Sequence, residues 1–147
     1  MKLLHKLSFL IVIMIIAACN NQTASDEVKQ LKVVKSYFLD SIAPKVVWEY
    51  PANDSSTILV SHFYKNGSLH MKGNIAGGVR DGKWEAWDDQ GRILSTGYYK
   101  DGFENGMWTV WFPSGQKRYE GLFKDGKRFG KWLFYNNNGV IIKEVEY

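Results

Sequence analysis

The sequence has little of the chemistry on which most enzymes and metal sites depend. Its 147 residues include one cysteine and three histidines, so an internal disulfide is excluded and no Cys/His cluster has metal-ligand spacing. His62 and His70 flank one turn, but no cysteine or carboxylate set accompanies them, and we expect no metal site. Glycine-bearing loops such as Lys124-Asp-Gly-Lys-Arg resemble phosphate loops in composition only, because no helix follows them. We therefore expect no enzymatic activity, no catalytic residue and no cofactor.

A strong excess of charge of either sign is also missing. The formal net charge is +4, and Lys2 and Lys6 contribute to it from an N-terminal segment that we expect to be removed. A nucleic-acid-binding domain usually presents a strongly basic stripe. The near balance of the remaining charges therefore gives no reason to expect a nucleic-acid partner.

The sequence contains no apolar run that is long enough to cross a bilayer. The longest run extends from Leu7 to Ala18, is interrupted by Ser8, and follows a short basic stretch. It has roughly a dozen residues where a membrane span needs about 20, so residues 1–18 are typical of a secretory signal peptide.

The residues that end this segment, Ile16-Ala17-Ala18-Cys19, resemble the lipobox of bacterial lipoproteins and include the only cysteine. The resemblance implies cleavage before Cys19, a diacylglycerol on its thiol and acylation of the new amino group. Several acyl chains anchor a protein to a membrane almost permanently. The alternative is a secreted protein with a free thiol. We expect a protein anchored by lipid in a bacterial cell envelope, at the outer rather than the inner membrane because Asn20, not aspartate, follows Cys19.

The next two segments differ in composition. Residues 19–30 are rich in Asn, Gln, Thr and Ser, which predicts a flexible, lipidated tether. Residues 31–62 contain an approximate helical stripe, but Lys32 to Leu39 and Lys45 to Tyr50 are rich in β-branched and aromatic residues around a breaker. We favour strands, which would form a degenerate cap at the N-terminal end of a repeat array in the C-terminal half of the chain. A further strand from Ile58 to Tyr64 would lead into that array.

Residues 63–147 repeat one pattern with a period of 24 residues. Glycine forms four columns: Gly67, Gly91, Gly115 and Gly139; Gly73, Gly97 and Gly121; Gly78, Gly102 and Gly126; Gly82, Gly106 and Gly130. Aromatic residues form two more columns: Trp84, Trp108 and Trp132; Phe63, Trp87, Trp111 and Tyr135. A fixed period of this size indicates an array of supersecondary units.

Each unit reads as a β-hairpin. In the third unit we expect a strand from Gln116 to Phe123, a loop from Lys124 to Phe129 and a return strand from Gly130 to Tyr135. Hairpins joined by further glycine-bearing turns give a single-layer antiparallel meander that advances about 10 Å per unit. The predicted fold class is therefore all-β.

The stretch Tyr119-Glu-Gly-Leu-Phe-Lys-Asp-Gly-Lys-Arg-Phe-Gly-Lys-Trp132 resembles the MORN repeat. Tryptophan in the Trp132 column stands where many MORN units have glycine, which is similar to a bacterial variant of the repeat. Proteins with that variant include an antitoxin of the YwqK type and envelope lipoproteins. The resemblance implies a curved, open sheet used for assembly or attachment, and it does not imply catalysis.

The tryptophan column is predicted to be structural. Alternation along a strand sends the second glycine column, Gly73, Gly97 and Gly121, to one face, where the missing side chains leave a row of notches. Aromatic rings of adjacent strands commonly cover strand glycines. We expect each notch to be covered by Trp84, Trp108 or Trp132.

The other aromatic column is the candidate binding surface. Trp84 and Trp87 are three residues apart, so a regular strand points them to opposite faces. Phe63, Trp87, Trp111 and Tyr135 would then be available to a protein partner or to the sugar rings of a glycan. Packing between neighbouring columns is the alternative role for these rings. Loop cations at Lys124, Lys127, Arg128 and Lys131 are a second candidate surface, for an anionic partner.

These observations favour a non-enzymatic, protein-binding or scaffold module held at a membrane. One alternative is an antitoxin or immunity protein that uses the same sheet to block a toxin. A second is a module that binds cell-wall or surface glycan through the aromatic column.

Overall fold

The computed structural model describes residues 31–39, 43–51 and 56–147. The predicted signal peptide, Cys19 and the predicted tether lie outside these residues. The described residues form eleven β-strands: β1 Leu31–Tyr37, β2 Pro44–Tyr50, β3 Thr57–Phe63, β4 Leu69–Ala76, β5 Val79–Trp87, β6 Ile93–Lys100, β7 Phe103–Glu104, β8 Gly106–Trp111, β9 Lys117–Lys124, β10 Lys127–Tyr135 and β11 Ile141–Glu146. In this part of the chain, no helix has the length and apolar character that crossing a membrane requires.

All of these strands belong to one antiparallel sheet. The strand order follows the chain from β1 to β11, with the short β7 paired only to β6. The predicted all-β, single-sheet meander is confirmed. Residues Leu31–Tyr37 and Pro44–Tyr50 are strands, so the helical interpretation of this region was wrong.

At one end of the sheet, the strands within each unit are joined by two-residue turns. Asp101 and Gly102 both have positive φ, at 50° and 86°, and Asp125 and Gly126 repeat this at 49° and 76°. Positive φ at both central residues defines the hairpin turn that matches the strand twist, and Asp-Gly is a preferred pair for it. The predicted loop from Lys124 to Phe129 was therefore too long, because this turn lets β10 begin at Lys127.

At the other end, the turns between units also repeat. The backbone N–H groups of Gly67, Gly91, Gly115 and Gly139 donate to the carbonyls of Tyr64, Asp88, Phe112 and Asn136, at 2.9–3.0 Å. Each turn is accompanied by a register shift: Ala86 lies opposite Ser95, whereas Trp87 lies opposite Ile93. Such a bulge bends and twists the strand that contains the extra residue.

The core lies within the sheet because no second layer of described residues covers either face. Its most buried apolar side chains are Val47, Val60, Trp84 and Trp132, with exposures of 2%, 2%, 5% and 0%. Val60 lies directly opposite Gly73, which in turn lies opposite Trp84. A single sheet can bury these rings only because neighbouring side chains on the same face lie over them.

Candidate functional site

Each glycine of the second column is covered by the indole ring of a tryptophan. The ring of Trp84 lies over Gly73, that of Trp108 over Gly97 and that of Trp132 over Gly121. In all three pairs a Cβ added to the glycine would overlap the indole ring. We call the face that bears these three indoles the tryptophan face.

The tryptophan face carries a continuous ladder of rings. Tyr99, Phe123 and Tyr147 alternate with the three indoles, and successive centroids lie 5.0–6.2 Å apart with interplanar angles of 74–90°. Edge-to-face pairs of this kind contribute beyond their buried area. This column was not predicted from the sequence, although the spacing between Tyr99, Phe123 and Tyr147 is the same 24 residues.

Two arginines cover the ends of the ladder. The Arg80 guanidinium lies 4.3 Å from the centroid of Trp84, and that of Arg128 lies 4.6 Å from the centroid of Trp132. The indole N–H groups of these tryptophans donate to the carbonyls of Asn74 and Leu122, both at 3.0 Å. Arg128 was expected at a loop tip, and that expectation was wrong because the residue lies in β10, over a buried ring.

The middle unit departs from this pattern. Glu104 occupies the position that Arg80 and Arg128 hold in the flanking units, and Trp108 is half-buried rather than buried. The return strand is interrupted at Asn105, whose N–H donates at 2.8 Å to the carbonyl of Tyr98. That carbonyl is equivalent to the acceptors of the other two indoles, and Trp108 instead faces Gly97 with its benzo edge.

The second face bears the candidate binding column. Thr109, between Trp108 and Val110, is 9% exposed on this face, and strand alternation places Trp111 beside it. The four members of the column, Phe63, Trp87, Trp111 and Tyr135, are all half-buried, with part of each ring open to solvent. The structure thus places them in a row at the turn end of the return strands, away from the indole ladder.

Hydrogen bonds hold the last ring of this column. The Tyr135 hydroxyl donates to a carboxylate oxygen of Glu120 at 2.6 Å, and Lys117 donates to the other oxygen at 2.7 Å. The hydrogen bond to Glu120, followed by burial, raises the pKa of Tyr135 to about 12. Burial works against ionisation of Glu120, but the hydrogen bonds from Lys117 and Tyr135 outweigh it and lower the pKa of that carboxyl.

A row of exposed apolar side chains crosses the same face. Met107 lies opposite Leu122, which lies opposite Phe129, so the three residues occupy neighbouring positions on three adjacent strands. Their exposures are 47%, 38% and 52%. This row was not predicted from the sequence, because its single apolar residues do not recur with the 24-residue period.

The described residues contain no group of three or more His, Cys, Asp or Glu side chains that could hold a metal ion. The His70 ring instead packs against Tyr64, with centroids 4.5 Å apart, and His62 lies opposite Met71. Burial lowers the pKa of His62, and the nearby charges of His70 and Arg80 add to that effect.

Comparison with protein families finds three copies of the MORN repeat variant, at residues 80–101, 104–125 and 130–147. Comparison with curated proteins gives no match. The boundaries of the copies follow the structure, since each begins on the return strand of one hairpin and the first two end at the two-residue turn of the next.

Proposed function

We propose that this chain, whose residues 80–147 carry three MORN repeat variants, is a non-enzymatic lipoprotein that binds a protein partner at a bacterial membrane. The fold and the family match support a repeat module built as one open sheet. The partner, the binding face and the anchor are proposed from the features described below.

The observation that carries the proposal is the composition of the second face. Strand β8 alone contributes Met107 to the apolar row and Trp111 to the aromatic column, with the polar Thr109 between them. Exposed apolar residues in contiguous rows, bordered by polar groups, are typical of protein-binding surfaces. Aromatic residues and methionine are enriched at such interfaces and frequently dominate the binding energy.

The tryptophan face is less suited to this role. Its rings already pack against one another and against Arg80 and Arg128, so a partner would find few apolar atoms to cover. The second face offers side chains that are fixed by their strands and that no further layer of the described residues covers. Binding to a rigid surface of this kind costs little conformational entropy.

The lipid anchor is proposed from the Ile16 to Cys19 motif. Residues 1–18 would be the signal peptide, and lipid on Cys19 would attach the sheet to the envelope, with the outer membrane favoured. A sheet tethered in this way is suited to scaffold assembly at the membrane surface.

Glycan binding is a second candidate, which the aromatic column supports. Half-buried rings spaced at a fixed interval along a sheet can stack on successive sugars. An antitoxin role would use the same face to cover a toxin. The protein-binding proposal is favoured over glycan binding because Met107, Leu122 and Phe129 add exposed apolar surface that a glycan would not need.

Site-specific photocrosslinking tests the proposal in the envelope of the bacterium that produces the protein. A crosslinking residue in place of Leu122, at the centre of the apolar row, is expected to give a discrete protein adduct. The matched control replaces Ile142, which is 65% exposed on the edge strand β11. Equal adducts from both positions, or none from Leu122, would contradict protein binding at the second face.

A further inference from the structure

The 24-residue repeat allows one position to be compared in three environments. Arg80, Glu104 and Arg128 are equivalent by sequence, and each lies opposite the equivalent residue of the preceding strand: Ile75, Tyr99 and Phe123. The backbone register is thus conserved between the units while the charge of the side chain is reversed in the middle one.

In the two outer units the guanidinium lies against two rings. Arg80 lies 4.3 Å from the centroid of Trp84 and 5.2 Å from that of Tyr99, and it donates to the Tyr99 hydroxyl at 3.0 Å. Arg128 repeats the arrangement at 4.6 Å from Trp132 and 5.2 Å from Tyr147, whose hydroxyl it also contacts. Cations within about 6 Å of an aromatic centroid are attracted by the ring quadrupole.

In the middle unit the equivalent rings are Trp108 and Phe123. Their centroids lie 5.7 Å apart at an interplanar angle of 74°, close to the 6.2 Å and 74° between Trp84 and Tyr99. At the position that the arginines hold in the outer units the chain has Glu104, and no guanidinium from residues 31–39, 43–51 or 56–147 lies on Trp108. Trp108 keeps part of its ring exposed, whereas Trp84 and Trp132 are 5% and 0% exposed.

We infer that Trp108, Phe123 and Glu104 form a binding site for a guanidinium group supplied from outside the chain. The two rings would receive the flat face of the cation, as their equivalents do for Arg80 and Arg128. The Glu104 carboxylate replaces the tyrosine hydroxyl as acceptor, and a carboxylate matches the paired N–H groups of a guanidinium well. The two possible sources are an arginine side chain of a protein and a small guanidinium compound.

This site lies on the tryptophan face, since Glu104 pairs with Tyr99 of the ring ladder. It is therefore separate from the surface proposed above for a protein partner. Loss of one interaction would leave the other unchanged.

The test is a titration of the full chain, in detergent and with nitrogen-labelled tryptophan, followed by NMR of the indole N–H groups. The first ligand is N-acetyl-arginine amide, and the uncharged matched control is N-acetyl-citrulline amide. We expect a saturable shift of the Trp108 signal with arginine, little with citrulline, and much smaller shifts of Trp84 and Trp132. An equal response to both ligands, or no saturable Trp108 shift, would overturn the inference.

Two variants separate binding from folding. Glu104→Gln is expected to weaken arginine binding several-fold without changing the ladder. Glu104→Arg restores the residue of the outer units and should abolish binding while the protein stays folded. If Glu104→Arg still binds arginine as wild type does, or if Glu104→Gln keeps full affinity, the assignment is wrong.

Comparison of two guanidinium ligands distinguishes the two sources of the bound guanidinium group, a protein arginine and a small compound. A five-residue peptide with a central arginine that binds at least tenfold more tightly than N-acetyl-arginine amide points to a protein arginine. Equal affinities point to a small guanidinium compound. Both results support the site, because both require the guanidinium group.

Discussion

The indole ring of Trp132 occupies the space that a side chain on Gly121 would need. Gly121 lies on β9 and Trp132 on the adjacent strand β10, and Trp132 is completely buried although no second layer of described residues covers the sheet. The same relationship holds for Gly73 with Trp84 and for Gly97 with Trp108. The fold therefore depends on a missing side chain in every unit.

Adding a single methyl group to this glycine is predicted to destabilise the sheet. In Gly121→Ala the new Cβ overlaps the Trp132 ring, and overpacking of this kind typically costs about 1–3 kcal/mol. Urea denaturation would measure the loss. The control is Leu122→Ala on the same strand, where the side chain is 38% exposed and the loss should be smaller. Equal midpoints for Gly121→Ala and wild type would contradict the packing described here.

Truncation of the tryptophans is predicted to have unequal effects. Trp132→Ala removes a fully buried ring and its hydrogen bond to Leu122, so a loss of about 3–5 kcal/mol is expected. Trp108→Ala should cost less, because that ring is half-buried and has no arginine over it. The free energies of unfolding of the two variants provide the comparison. A larger loss of unfolding free energy for Trp108→Ala than for Trp132→Ala would show that side-chain burial does not determine which truncation is more destabilising.

Much of this arrangement could be predicted from the sequence, because the repeat reports each relationship several times. The hairpins and the glycine–tryptophan pairs follow from period and strand alternation, as at Gly97 and Trp108. The arginine contacts could not be read in the same way, because the change from Arg80 to Glu104 breaks the column. The length of the turn at Asp125 could not be predicted from the sequence either, because only the backbone conformation shows that this residue has positive φ.

The Tyr135–Glu120 hydrogen bond is predicted to make stability fall at high pH. The pKa of Tyr135 is raised from 10.0 to about 12, so the folded state holds this proton more tightly than the unfolded state. The resulting stabilisation is complete below pH 10 and is lost as the pH rises toward 12. In Glu120→Gln the pKa of Tyr135 should move back toward 10.0, as measured by NMR of labelled tyrosine. An unchanged titration midpoint would show that Glu120 does not control this hydroxyl.

Lipid anchoring is predicted to depend on the thiol of Cys19. Cys19→Ser removes the only cysteine, so the protein should move from the membrane to the soluble fraction and lose labelling by an alkyne fatty acid. Asn20→Gln is the matched control and should remain at the membrane. Continued labelling of the serine variant would contradict the lipoprotein assignment.

The most direct test of partner binding at the second face is a comparison of stability and capture in one double variant. Trp87→Ala with Trp111→Ala removes two half-buried rings of the aromatic column and leaves the indole ladder intact. We predict that it remains folded by circular dichroism but no longer retains the envelope protein that crosslinks at position 122 of the wild type. The control, Val140→Ala with Ile142→Ala, changes apolar side chains that are 57% and 65% exposed near the last strand and should retain that protein. A folded double variant that captures the same protein in the same yield would contradict the central claim.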